Sequence, residues 1–224
     1  LTSLDVSNNT YLNKLECHIN QLTNLDVSQN TALGNLRCSH NQLTSLNVST
    51  NTNLWRLYCY DNQLTTLDVS QNTALLDLLC YDNQLTSLDV SQNTALWDFD
   101  CKNNLLECLD ISNNINLGYL DCSDNLLEQL NTRNGNWVNG MDIDANTNNL
   151  TCVEVDNIGY ATSNWQNTFD SFVTFSTNCN YTNPCTTTSS IEEHTTNKEL
   201  LKITDILGRE VNEKRNTPLF YIYN

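Results

Sequence analysis

Apolar residues recur along this chain in two alternating phrases, LxxLxV and LxxLxC, each closed by polar turn residues that include an Asn. The stretch Leu64 to Gln84, LTTLDVSQNTALLDLLCYDNQ, holds one of each. Leucines stand at Leu1, Leu22, Leu43, Leu64, Leu85, Leu106 and Leu127, a period of 21 residues. The second phrase opens on the same clock at Leu12, Leu33, Leu54, Leu75, Leu96 and Leu117. A fixed period of this size marks a solenoid, in which each unit buries its apolar face only by stacking on the next. Alternation within each phrase predicts strands whose successive side chains point to opposite faces. Leu67 and Val69 then point in while Thr66, Asp68 and Ser70 point out; Leu78 and Cys80 point in while Asp77, Leu79 and Tyr81 point out. With coils ~4.8 Å apart, about eight coils make a rod roughly 35 to 40 Å long.

Two Asn series keep the same period: Asn9, Asn30, Asn51, Asn72, Asn93 and Asn114 after the first phrase, and Asn20, Asn41, Asn62, Asn83, Asn104 and Asn125 after the second. A buried turn must satisfy its backbone groups, and an Asn amide stacked over its neighbour is expected to donate and accept along the stack. The seventh unit, LEQLNTRNGNWVNGMDIDANTNN, runs two residues long and substitutes Trp137, Met141 and Ile143 for the usual Leu and Cys. The eighth opens LTCVEVDN and leaves the pattern; Tyr160, Trp165, Phe169, Phe172 and Phe175 then supply aromatic surface to cover the last coil.

The pattern LxxLxC-xx-N-x-L resembles the strand-and-turn segment of leucine-rich repeat proteins, from Leu1 to about Val155. The resemblance implies a right-handed β solenoid. Because LxxLDVSxNTxL also has strand grammar where the family usually carries a helix or irregular turn, two parallel sheets back to back and little helix are expected. The organisation is then a solenoid over 1–155, a C-terminal cap over 156–179, a Thr- and Ser-rich linker over 180–198 and a short β tail over 199–224. The chain begins in register with a repeat and without a leader, which reads as a piece of a longer precursor.

Six of the ten cysteines, Cys17, Cys38, Cys59, Cys80, Cys101 and Cys122, occupy one inward position and form a ladder. Soft-metal ligation or redox work is one reading, but no CxxC spacing supports a zinc site. A free Cys is also a small hydrophobe suited to a narrow core, and that reading is preferred. Parallel Cβ atoms ~4.8 Å apart exceed disulfide reach, so the ladder is expected to be reduced. Cys108 and Cys152 lie two coils apart and should not pair. Cys152 and Cys179 would close a loop of about 27 residues, worth roughly 3 to 4 kcal/mol, and imply an oxidising, extracellular location. The ending LTCVEVD…Y…W…F…C is similar to the cap of secreted bacterial leucine-rich repeat proteins. The pairing of Cys108 and Cys185 stays open.

Ten Lys plus Arg against twenty-six Asp plus Glu give a formal charge of −16, which disfavours nucleic acid and anionic lipid as partners. No apolar run is long enough to insert in a membrane as a helix. Six Gly and two Pro leave the turns to Asn, Asp and Ser.

The two outward faces differ in kind. The first phrase presents an almost uniform row: Asp5, Asp26, Asn47, Asp68, Asp89 and Asp110 between Ser and Thr residues. It looks structural, although a carboxylate row could hold Ca²⁺ weakly; an ice-binding role ranks low because the row carries Asp rather than paired Thr. The second phrase presents triplets that all differ, and Tyr58, Tyr60, Leu79 and Tyr81 fall together on adjacent coils, flanked by Arg37 and Arg56 on one side and Asp98 and Asp100 on the other, with Tyr119 beyond. Tyr and Arg are enriched in interface hot spots, so these nine residues are the ligand-binding candidates; stabilising cross-strand aromatic pairs are the competing reading. His18, His40 and His194 meet no nucleophile, and Asp98 and Asp100 are expected to be solvated, so no catalytic residues, cofactor or metal are assigned. The expectation is a non-enzymatic binding or adhesion module presenting this face to a protein or glycan at the cell surface, with oligomeric state open; the alternative is a passive spacer in a larger surface protein.

The last segment, LLKITDILGREVNEKRNTPLFYIYN, has two apolar runs, Leu200 to Leu207 and Pro218 to Tyr223. Ile203 to Val211 matches I-x-D-x-x-G-R-E-V and resembles the sorting domain read by the bacterial type IX secretion system, which implies export across the outer membrane, cleavage of the tail and attachment to the cell surface. The first strands and the usual last strand of such a domain are missing here. A small hairpin packed on the cap is the competing reading.

Overall fold

The computed structural model describes residues 1–136, 140–181 and 185, and the backbone of Leu200–Asp205 and Leu219–Tyr223. Trp137, His194 and most of the sorting-like element from residue 206 onward lie outside the described residues. The chain divides into two units, Leu1–Thr187 and Thr188–Asn224.

The first unit is a parallel β solenoid. Its main sheet is built from the LxxLxC phrase of successive coils: β1 (Lys14–Glu16), β2 (Asn35–Arg37), β3 (Arg56–Tyr58), β4 (Asp77–Leu79), β5 (Asp98–Asp100), β7 (Tyr119–Asp121) and β9 (Asp142–Asp144), hydrogen-bonded in that order. Register advances by one repeat at each step, Leu36 to Leu57 to Leu78 to Phe99. The two extra residues of unit seven fall outside the strands, so Tyr119 pairs with Asp142 and the sheet continues unbroken. Each coil then turns through one left-handed residue: Ile19, His40, Asp61, Asp82, Asn103, Asp124 and Thr147. Asn, Asp and His tolerate that conformation; Ile19 and Thr147, both β-branched, are the strained members of the series.

The second parallel sheet is present as expected but is shorter than the first. It contains only β6 (Cys108–Asp110), β8 (Gln129–Asn131), β10 (Cys152–Glu154) and the cap strand β11 (Thr174–Ser176). In the first five coils the LDV phrase forms no ladder. There the coils are joined by one repeating backbone bond, Gln42 N to Leu22 O and its counterparts, and by side chains bonding to backbone. Asp5, Asp26, Asn47, Asp68 and Asp89 each accept the amide of the residue two positions on, a local turn bond that Asp110 also makes at the end of β6. Those bonds hold the carboxyls of Asp5, Asp26 and Asp68 below the usual range. The Asp row thus has a structural task.

Between the sheets runs one continuous core of Leu, Val and Cys columns, with Phe99, Met141, Ile143 and Ala145 as variants. The six ladder cysteines are buried free thiols whose titration burial pushes up, Cys17 to about 11. The Asn columns bond backbone of the neighbouring coil rather than one another's side chains: Asn62 Nδ2 donates to Cys38 O, Cys59 O and Tyr60 O while its Oδ1 accepts Leu43 N.

The cap is α1 (Ile158–Asn164), whose N-cap Asn157 accepts Tyr160 N at 2.9 Å, followed by β11. Trp165 and Phe169 are buried over the last coil, with Phe175 edge-on to both. Phe172 is 62% exposed, so it covers nothing. Cys152 and Cys179 form one disulfide and Cys108 and Cys185 a second. Tyr181 OH donates to Cys152 O at 2.8 Å. Tyr181 and Cys185 thereby tie the start of the Thr- and Ser-rich stretch to the solenoid. In the second unit, β12 (Leu200–Asp205) and β13 (Leu219–Tyr223) pair antiparallel.

Candidate functional site

Outward residues of the seven-stranded sheet lie in three columns, because strands register residue for residue and coils repeat every ~4.8 Å. The columns bring together the variable residues of consecutive repeats. Tyr60 and Tyr81 stack with ring centroids 4.3 Å apart and planes 9° from parallel. Tyr58 lies 6.4 Å from Tyr60, and His40 meets Tyr60 edge-on at 5.1 Å. Leu79 sits beside them on β4, half-buried like the tyrosines. Burial raises the titration of Tyr58 and Tyr81, so both phenols stay protonated donors at neutral pH.

One end of this aromatic cluster is cationic. Arg37 lies over the Tyr58 ring at 5.0 Å, and Arg56 lies 5.3 Å from it while also covering Trp55 at 4.6 Å. Arg56 donates to Asp77 through Nε at 2.7 Å. Lys14 pairs with Glu16 at 2.9 Å, which holds that carboxyl below its ordinary range. His40 Nδ1 and Asp61 are in close contact at the sheet's edge.

The other end is anionic and less solvated than the sequence suggests. Asp98 and Asp100 are half-buried, not freely exposed. Burial, reinforced by Asp121 and Asp98 and opposed by the Lys102 amide, lifts Asp100 to about 7. Burial, then Asp77, also raises Asp98. Tyr119 is pushed up to about 12 by burial and by Asp121. Asp142 and Asp144 extend the acidic end. The raised carboxyls do not form a nucleophile–base pair: among the described residues no hydrogen bond joins His18 or His40 to a serine or a thiol, and no group of His, Cys, Asp and Glu is arranged to hold a metal ion.

The structure adds a feature outside the candidate set. At the turn before each strand, consecutive coils carry Gly34, Trp55, Leu76, Trp97 and Gly118. Trp97 is 59% exposed, and the missing side chains of Gly34 and Gly118 are what let Trp55 and Trp97 lie flat: a Cβ on Gly118 would fall 2.8 Å from the Trp97 indole. Leu76, Asp77, Ala95, Trp97 and Asn116 line a surface hollow of about 420 Å³. This apolar edge runs on from the tyrosine cluster through Asp77 and widens the face. Its signal in the sequence is the position two before the buried strand leucine, where Trp, Leu and Trp replace small residues.

Solved structures carry the same architecture. A leucine-rich repeat protein of Leptospira interrogans superposes with a TM-score of 0.62 at 24% identity, over 68% of this chain and 42% of that one. The leucine-rich repeat domain of APL1B gives 0.55 at 21% identity, over 70% and 54%. The fold is that of a leucine-rich repeat solenoid. The functional domain of InlJ from Listeria monocytogenes, described as including a cysteine ladder, is 27% identical over 69% of this chain and 52% of its own, with a TM-score of 0.36. The chain spans about half the length of these three structures. No protein-family model and no curated protein matches it.

Proposed function

We propose that this solenoid is a non-enzymatic binding module, extracellular or attached to the cell surface, that engages a partner through its seven-stranded face. The single observation that carries the reading is the aromatic cluster of Tyr58, Tyr60, Leu79 and Tyr81 at the middle of that face, between a cationic and an anionic end. Large rigid side chains at the centre with charges at the rim are the anatomy of a protein-binding surface, so protein is the favoured partner and glycan the lesser one. The two disulfides support an oxidising compartment. The paired strands Leu200–Asp205 and Leu219–Tyr223 are compatible with a sorting tail of the type IX kind, cleaved after export.

A passive spacer is the second reading, favoured by the near-identity of the repeats. Replacing Tyr58, Tyr60 and Tyr81 with Ala separates the two. The triple variant keeps its circular dichroism spectrum and loses binding to a cell-surface extract or glycan array. If the parent binds nothing in either assay, or the variant binds as well as the parent, the spacer reading stands instead.

A further inference from the structure

The seven-stranded face has a charge order that is its own complement when reversed. Coils one to three carry Lys14, Arg37 and Arg56; coils five to seven carry Asp98, Asp100, Asp121, Asp142 and Asp144. Strand β4, with Asp77 and Leu79 followed by Tyr81, lies at the midpoint.

Two copies can meet face to face about a two-fold axis in two simple ways. With solenoids parallel, each coil faces its own copy with its columns reversed, so Arg37 meets Arg37 and Asp100 meets Asp100 in the middle column, and the cationic and anionic ends each face themselves. With solenoids antiparallel and the axis over β4, each column meets itself in reverse. Arg56 then faces Asp98 and Lys14 faces Asp142, each twice by symmetry, while Arg37 faces the position of Asp121, which is only 9% exposed and bonded to Ser123. Tyr60 faces Lys102, a cation over a ring. Leu79 faces Leu79 and Tyr81 faces Tyr81 on the axis, where a dimer interface concentrates its apolar contacts. Two contacts run against the pattern. Glu16 opposes Asp144 at the rim, where Lys14 already pairs with Glu16. Asp77 opposes Asp77 on the axis, but each is bound to its own Arg56, so four alternating charges form a ring.

We propose that the partner of this face is a second copy of the chain, docked antiparallel about an axis through β4. The proposal rests on the reading that the seven-stranded face is the binding surface and names its occupant. Six steps of ~4.8 Å along the coils and about 15 Å across the strands give roughly 900 Å² over both copies, at the weak end of specific interfaces. An interface of this size makes the association weak and dependent on concentration. Although each copy carries −16 overall, charges more than ~8 Å apart are screened at about 0.15 M salt, while those in contact are not.

The test is sedimentation equilibrium of the full chain from about 1 to about 300 µM at about 0.15 M salt. The parent is expected to pass from a 25.4 kDa monomer toward twice that mass. Arg56→Glu and Asp98→Arg should each weaken self-association at least ~10-fold, because each puts like charges in contact twice. Mixed one to one, the two variants should dimerise again, since the carboxylate introduced at position 56 of one meets the guanidinium introduced at position 98 of the other, and the unaltered Asp98 and Arg56 still meet. Leu79→Cys, on the axis, should give a disulfide-linked dimer on mild oxidation while His18→Cys at the rim does not, a readout that does not depend on the charge variants folding. A parent that is monomeric throughout, a dimer indifferent to both reversals, folded single variants that fail to rescue each other, or equal cross-linking of the His18→Cys and Leu79→Cys variants overturns the proposal. If the parent is monomeric yet binding to a cell-surface extract is lost in the triple tyrosine variant, the second copy is wrong and the binding face stands. If neither is seen, both fall.

Discussion

Replacing Asn62 with Ala and Asn72 with Ala removes the same side chain from two columns of one solenoid, and the hydrogen bonds predict very different costs. Asn62 Nδ2 serves Cys38 O, Cys59 O and Tyr60 O at 3.0 to 3.3 Å, and its Oδ1 accepts the amide of Leu43 at 3.0 Å. Each of those carbonyls has another donor: Cys38 O keeps Asn41, Cys59 O keeps Asn83 and Tyr60 O keeps His40 N. Leu43 is fully buried, and its amide is left without that acceptor. Nδ2 of Asn62 has two hydrogens to share among the three carbonyls, so two lost donor bonds at ~1 kcal/mol each and one orphaned amide at about 1 to 2 kcal/mol come to roughly 3 to 4 kcal/mol. Asn72 donates to Val48 O at 3.0 Å and Asn51 O at 2.9 Å, and its buried Oδ1 has no partner. Val48 O keeps Asn51 N, and Asn51 O keeps Leu54 N. The ~2 kcal/mol of lost bonds is then partly offset by removing an acceptor that was buried unpaired, leaving about 1 kcal/mol. Asn72→Asp should be worse than Asn72→Ala, because an acceptor-only carboxylate would face the same two carbonyls. Urea unfolding followed by far-ultraviolet circular dichroism, with the disulfides intact, ranks the three variants by midpoint. Equal midpoints for the two alanine variants, or Asn62→Ala the milder, would show that the columns are held by packing and that the hydrogen-bond argument is wrong.

Reducing the disulfides gives a second ranking: opening Cys108–Cys185, which spans 77 residues, should cost about 4.5 kcal/mol, and Cys152–Cys179, spanning 27, about 3.5, so Cys108→Ser/Cys185→Ser should lower the thermal midpoint more than Cys152→Ser/Cys179→Ser. Asp100, lifted by burial to about 7, makes folding less favourable as pH rises from about 4 to 7, because the folded state holds its proton through that window and the unfolded state does not. Asp100→Asn should remove that slope and be ~2 kcal/mol more stable than the parent at pH 8 after screening is allowed for, and identical pH profiles for the two proteins would refute it.

The main sheet and its register are legible because the 21-residue period, the inward Leu and Cys columns and the polar turns all demand one arrangement. What the period does not fix is how far the second sheet extends. LDVS has the alternation of a strand, yet it forms no ladder in coils one to five and does form one from Cys108–Asp110 onward, although Asp26 and Asp110 make the same bond to the amide two residues on; periodicity alone does not say in which coils the phrase pairs. The Cys108–Cys185 link is illegible for a different reason: it joins the sixth coil to a segment with no apolar period, and nothing in the spacing ranks one long-range partner above another.

The candidate face divides along the same line. Which residues point outward follows from alternation, so Tyr58, Tyr60, Leu79 and Tyr81 are identifiable as neighbours from the 21-residue period alone. How deeply an outward residue sits does not follow, because it depends on the bulk of the residues one coil away. Asp100 lies between the Leu79 and Asp121 positions of adjacent strands and loses water to them, which turns an expected solvated carboxylate into one that titrates near neutrality. The same dependence on the next coil makes the Trp55 and Trp97 edge: an indole lies flat only because Gly34 and Gly118 leave the adjoining positions empty. The property that matters for recognition is therefore carried by pairs of residues 21 apart, and it emerges from the sequence only when each repeat is read against its neighbour.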